Sequence, residues 1–184
     1  MKLPGWLHNW LHNRSEADSI ALKPDRVILT GTILPAFAGF SRVLWIGCQA
    51  YTPPYYAVLE SGGGACWTLD LDPASVTWGR EGRHVTGDLT QADKLFEAGF
   101  FDAVICNGIF GWGVDTLEQR QAALIAMAAI LKPDGILMMG WNNHKTDDPV
   151  PLAAPVFAPC ALPGVPAHIT VGKSTHRYDT LRKV

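Results

Sequence analysis

Arg42-Val43-Leu44-Trp45-Ile46-Gly47-Cys48-Gln49-Ala50-Tyr51-Thr52 reads as a buried strand that meets a single glycine and then turns toward a helix. Leu44 and Ile46 flank Trp45, so the run is apolar on both faces, as in a strand covered by helices on either side. Gly47 allows the backbone to turn with no Cβ in the way. Pro53 and Pro54 suit the first turn of a helix, where missing N–H groups cost little. In an open α/β sheet, ligands bind at the carboxyl ends of strands, at such a turn.

Outward from this stretch the chain alternates. A helical pattern over 51–61 stops at Gly62-Gly63-Gly64, and a strand over 65–71 closes on Asp70-Leu71-Asp72-Pro73. A short strand over 84–86 leads to Gly87-Asp88, and 90–98 reads as a helix with Leu95 and Phe96 turned inward. The fourth strand, 101–107, ends at Asn107-Gly108. Asp115 with Glu118 three residues on resembles a capping box. Leu117, Leu124, Met127, Ala128 and Leu131 then make one apolar helix face. Lys132-Pro133-Asp134-Gly135 ends that helix, and 135–141 is an apolar, hence central, fifth strand. The span 142–166, rich in Pro and Ala, reads as irregular with one short helix near 152–154, and could cover a pocket. Segments 167–171 and 176–181 read as an antiparallel hairpin. Strand and helix in alternation predict an α/β fold with a doubly wound, mostly parallel sheet that ends in a C-terminal antiparallel hairpin.

Length and composition fit this fold. The 184 residues suffice for a single domain, 1–184, in which 1–40 is an N-terminal helical extension. Hydrophobic residues make up 48% and charged residues 17%, and no apolar run reaches the length of a membrane span. The net charge of -2, with 15 scattered Lys and Arg, offers no basic field for phosphates, so nucleic acid is not expected as a partner. Cys48, Cys66, Cys106 and Cys160 form no C-x-x-C pair and read as buried thiols of a reducing, cytoplasmic compartment. Leu3, Trp6, Leu7, Trp10 and Leu11 recur at helical spacing over 1–14, without the features of a signal peptide. Such a helix could dock on its own domain, on a protein partner or on a lipid surface. His8 and His12 lie one turn apart with no further ligand nearby, so no metal site is expected.

The polar residues that end the strands form an ordered set: Gly47 to Gln49, Asp70 with Asp72, Asp88, and Asn107. They recur at intervals of about twenty residues, the length of one strand, helix and turn, and should converge at the carboxyl edge of the sheet. An ionised carboxylate is acceptor-only and has two oxygens, so Asp70 could accept both hydroxyls of a ribose. Each residue also has a plainer role open to it: Asp72 as a helix cap, Asp88 as a turn former, Asn107-Gly108 as a tight turn.

From 42 to 141 this set resembles the class I methyltransferases that use S-adenosylmethionine. Their glycine-rich first loop is similar to Leu44-Trp45-Ile46-Gly47-Cys48-Gln49-Ala50-Tyr51, and their entry into the fifth strand to Leu131-Lys132-Pro133-Asp134-Gly135. The resemblance implies a Rossmann-like fold, S-adenosylmethionine as cofactor, and a cofactor site built from Gly47, Cys48, Gln49, Asp70, Asp88 and Asn107. Asp70 would take the ribose-binding role and Asp88 the adenine-contacting one. The family usually has an acid where this chain has Trp45, and glycines where it has Gln49 and Tyr51. That acid helps hold the amino end of the methionine moiety; Gln49 or Asn107 could replace it by hydrogen bonding.

The implied reaction is direct displacement, in which a substrate nucleophile attacks the methyl group opposite the sulfonium leaving group; alignment and exclusion of water dominate such chemistry. The methyl acceptor would be a small molecule. Trp112, Trp141, Asn142, Asn143, His144, His176 and Tyr178 are the pocket candidates, with His144 a candidate general base. His176 and Tyr178 share one face of their strand and either line the pocket or finish the sheet. The departures at Trp45, Gln49 and Tyr51 keep a second reading open, a methyltransferase fold that binds or scaffolds without catalysis. A nicotinamide oxidoreductase matches less well, because Gly47 is followed by Gln49 and Thr52 where the dinucleotide fingerprint has glycines.

Overall fold

A computed structural model describes residues 19–184. The helix expected over 1–14, His8 and His12, and any docking role of that segment lie outside the described residues. Eight strands form one sheet: β1 (Arg42–Ile46), β2 (Ala65–Asp70), β3 (His84–Thr86), β4 (Phe101–Asn107), β5 (Leu131–Asn142), β6 (Phe157–Pro159), β7 (His168–Thr170) and β8 (His176–Lys183). The order is β3-β2-β1-β4-β5-β8-β6, with β7 also paired to β8. β1 to β5 run parallel, while β8 is antiparallel to β5, β6 and β7. The winding reverses between β1 and β4, which sets the carboxyl ends of these two strands side by side.

Both sheet faces are covered, as the apolar run of β1 requires. Val43 and Trp45 face α1, which runs as α-helical Pro24–Ile28, π-helical Leu29–Ile33 and α-helical Leu34–Phe37, and α2 (Pro53–Glu60). Leu44 and Ile46 face the other side, where a 3-10 turn (Leu89–Gln91), α3 (Ala92–Leu95) and α4 (Leu117–Ile130) pack. Leu29, Ile33, Leu34 and Phe37 of α1 are fully buried, so this helix belongs to the core of its face.

Four local expectations are corrected. The helix expected over 90–98 is only the 3-10 turn and the four residues of α3, because Phe96 is already extended; Leu95 is 38% exposed while Phe96 packs on the core. The capping box of α4 is Thr116 with Gln119, one residue beyond the expected pair. The Thr116 hydroxyl accepts from the Gln119 N–H at 3.2 Å, and the Gln119 side chain accepts from the Thr116 N–H at 3.0 Å. Leu117 is consequently exposed, and Leu131 is not helical: its ψ of 140° ends α4 and starts β5. The chain bulges through Lys132 to Gly135 before regular pairing resumes at Ile136. The 142–166 span holds more order than expected, with a short helix α5 (Val150–Ala153) and β6. Thr116→Ala should remove the cap at a cost of about 1 kcal/mol, a fall of roughly 2–4 °C in Tm; an unchanged thermal melt would show the cap to be idle.

No helix among the described residues is long and apolar enough to cross a membrane. Cys48, Cys66 and Cys106 are buried, Cys160 is half-buried, and all four thiols are free.

Candidate functional site

A cavity of about 660 Å³ opens along the carboxyl edge of the parallel strands, a volume within the range of small-molecule sites. Gly47, Gln49, Asp70, Asp88 and Asn107 all line it. Gly47 has φ +86°, a conformation that favours glycine, and its N–H donates to the Leu69 carbonyl, tying the first loop to β2. Asp70 holds that loop from the other side. Its Oδ2 accepts from the Cys48 N–H at 2.6 Å and its Oδ1 from the Asp72 N–H at 2.9 Å.

Cys48 departs from expectation. Its side chain is buried beneath the loop and does not line the cavity, burial pushes its thiol pKa up, and its N–H is engaged by Asp70. Asp72 takes its plainer role: it caps a 3-10 turn (Pro73–Trp78) through the Ala74 N–H and stands away from the cavity. Asp88 caps the next 3-10 turn through the Thr90 N–H at 2.8 Å, using only Oδ1, and still lines the cavity.

At the other end, the His176 ring is buried between two amides, with Nε2 3.1 Å from Asn107 Oδ1 and Nδ1 3.2 Å from Asn142 Oδ1. Gly140 makes this possible, since a Cβ there would collide with Asn107 Oδ1 and approach His176 Nε2. Burial holds the His176 pKa down to about 4, helped by the positive charges of Arg26 and Arg177 and opposed by Asp25. The imidazole is therefore neutral at pH 7. His176 and Tyr178 do share a face, their rings meeting edge to face at 4.6 Å.

Of the expected pocket residues, Trp112, Asn142, His144 and His176 line the cavity; Trp141, Asn143 and Tyr178 do not. The Trp141 indole N–H is spent on Asp179 Oδ2 at 2.6 Å, and the Tyr178 hydroxyl donates to the Asp25 carbonyl at 2.9 Å. His144 is exposed at the rim. Trp45 is core: its indole N–H donates to the Gly47 carbonyl at 2.6 Å, and its ring packs 5.2 Å from that of Tyr55. The sequence reading missed Lys23, Asp25 and Arg26, which line the cavity from α1 and the residue before it. In sequence the Asp25-Arg26 pair looks like an ordinary solvated turn of helix. Among the described residues no group of His, Cys, Asp or Glu side chains is arranged to hold a metal ion.

In comparisons of fold, the protein is similar to a TehB-like SAM-dependent methyltransferase from Corynebacterium glutamicum (TM-score 0.63, 19% identity, 94% of this chain and 100% of that one). It is also similar to the 1,6-didemethyltoxoflavin-N1-methyltransferase of Burkholderia thailandensis, whose structure holds 1,6-didemethyltoxoflavin and S-adenosylhomocysteine (TM-score 0.57, 17% identity, 100% and 92% coverage). A third likeness is the Thermus thermophilus 16S rRNA N2 G1207 methyltransferase RsmC (TM-score 0.55, 15% identity, 82% and 38% coverage). The fold thus accommodates RNA as well as small molecules, and does not support the expectation that nucleic acid is excluded. No curated protein matches the chain in sequence. The family described as Methyltransferase domain matches residues 44–139. That match runs from the middle of β1 into β5, so the parallel strands that build the cavity fall within it, and the chain belongs to the methyltransferase-domain family.

Proposed function

We propose that the protein is an S-adenosylmethionine-dependent methyltransferase acting on a small molecule, with Gly47, Gln49, Asp70, Asp88, Asn107 and the backbone of Cys48 forming its cofactor side. The carrying observation is the state of Asp70. Each carboxylate oxygen accepts one backbone N–H, and each has a second lone-pair site, so two donors can still be taken. A vicinal diol such as that of a ribose fits this remaining capacity, and the Asp88 Oδ2 offers a further acceptor on the same side. Bound there, the cofactor supplies an electrophilic methyl group on a sulfonium sulfur.

The chain's own contribution is then alignment and shielding. The Gly47 turn and the Asp70 clamp fix the loop after β1, while Asn107, at the end of the neighbouring strand, is oriented by the neutral His176. Trp112 and His144 stand at the rim, where an acceptor would enter. The net charge of -2 favours a small molecule over a polyanion. In the same reading residues 1–184 form one domain with 1–40 as a helical extension, which the burial of Leu29, Ile33, Leu34 and Phe37 supports.

Calorimetric titration with S-adenosylmethionine and S-adenosylhomocysteine, with NADH as control, tests the proposal. Binding of the first two alone is expected, and Asp70→Ala should weaken it by about 1.5–3 kcal/mol, as for hydrogen bonds to a charged group. A folded protein that binds neither would instead favour a non-catalytic binding or scaffold role, which the side chains at Trp45, Gln49 and Tyr51 make specific.

A further inference from the structure

An acid and a base line the cavity from α1, Asp25 and Arg26. Asp25 is buried, and the Arg26 side chain is 14% exposed; Arg26 Nη1 pairs with Asp25 Oδ2 at 3.1 Å. Arg26 lies between the loop after β1 and β8. Its guanidinium carbon stands 5.7 Å from the centre of the Tyr51 ring, and the Asp25 carbonyl is held by the Tyr178 hydroxyl at 2.9 Å. The pair is incompletely satisfied. Among the described residues, the buried Arg26 Nε has no hydrogen-bond partner and Asp25 Oδ1 accepts no bond. A buried donor without a partner is costly, and an acid beside a base, each with capacity left, complements a zwitterion.

We infer that Asp25 and Arg26 hold the α-amino-acid end of the cofactor: the Asp25 carboxylate receives the ammonium group, and the Arg26 guanidinium receives the carboxylate. This rests on the cofactor reading above. A carboxylate is acceptor-only and an ammonium donor-only, so the two ends of the zwitterion are told apart, and the guanidinium fork suits a carboxylate. Arg26 and Asp25 thereby become the residues that distinguish an S-adenosyl amino acid from a plain adenosine thioether.

The test is calorimetry on the full chain with two ligands, S-adenosylhomocysteine and 5′-methylthioadenosine, which shares the adenosine and the sulfur but lacks the amino-acid end. The wild type should prefer S-adenosylhomocysteine. Arg26→Gln and Asp25→Asn should each weaken it on the order of 10- to 100-fold while leaving 5′-methylthioadenosine binding unchanged, which also certifies that the variants fold. Arg26→Lys, which keeps the charge, should retain part of the preference. Equal loss for both ligands would make the pair merely structural and overturn the inference, as would equal wild-type affinities for the two ligands or unchanged affinity in the variants. If the wild type bound neither ligand, the cofactor reading itself would fall, and the inference with it.

Discussion

Trp45→Asp, which writes back the acid methyltransferases usually carry on their first strand, is expected to unfold the protein or lower its Tm by more than about 10 °C, with no gain in cofactor affinity. Trp45 is 1% exposed and packs against Tyr55 and Tyr56 on the face covered by α1 and α2. Truncating a buried Trp costs about 3–5 kcal/mol. The incoming carboxyl would have to be desolvated in that packing, or protonated, for about 1–3 kcal/mol more. The Gly47 carbonyl also loses its indole donor. The total approaches the whole stability of a typical domain, about 5–15 kcal/mol. Trp45→Phe keeps an aromatic ring in the packing and loses the bond to Gly47 and part of the indole volume, so it should fold with a smaller change. Denaturant unfolding of both variants decides the matter: a Trp45→Asp protein as stable as the wild type would mean that position 45 is not the packing centre described above.

The same residue shows what the sequence could and could not convey. The strands were legible because β1, β4 and β5 are apolar on both faces, and two-sided burial leaves that mark wherever the sheet is covered by helices. The turn at Gly47 was legible for a similar reason, since a residue at φ +86° is most easily glycine. What Trp45 replaces could be seen, but not which way its side chain goes; alternation along β1 sends it to the α1 face, where it packs on Tyr55 and forms part of the cavity wall, its indole N–H already spent on the Gly47 carbonyl.

Boundaries were misread where two local signals compete. Leu131 continues the helical spacing of Leu124 and Ala128, yet Pro133 forces Lys132 toward extended backbone and the helix ends before both. Asp115 and Thr116 both stand three residues before a long polar side chain. Asp115 instead accepts the Gly113 N–H, leaving the cap to Thr116. Asp25 and Arg26 were invisible for a deeper reason. A charged pair on a helix is ordinarily solvated, and this one is packed against Tyr51 and Tyr178, two residues far apart in the sequence. Trp141 was misplaced by the same kind of fact, its indole N–H being taken up by Asp179, whereas Tyr178 takes the second of its two expected places and finishes the sheet, its hydroxyl spent on the Asp25 carbonyl.

Acidification is expected to destabilise the protein between pH 6.5 and about 4 through His176. In the folded state burial, reinforced by Arg26 and Arg177, holds its pKa down to about 4, whereas in the unfolded chain it returns to the ordinary value of 6.5. Below 6.5 the unfolded state therefore binds a proton that the native state refuses, so stability falls as pH falls and levels off below about 4. The interval corresponds to roughly 3 kcal/mol at most. His84, whose pKa burial also lowers, adds a contribution of the same sign, while Glu60, held below its ordinary value of 4.5 by Arg80 and the Cys66 N–H against the cost of burial, acts in a lower pH window. Urea unfolding of the wild type and of His176→Gln at pH 7.5, 6 and 5 separates these terms. The glutamine side chain can still reach one of the two amides but does not titrate, so the variant should start less stable and lose less on acidification. Parallel losses in both proteins would show that the buried imidazole takes up its proton as readily folded as unfolded, and that burial beside Arg26 and Arg177 does not keep it neutral.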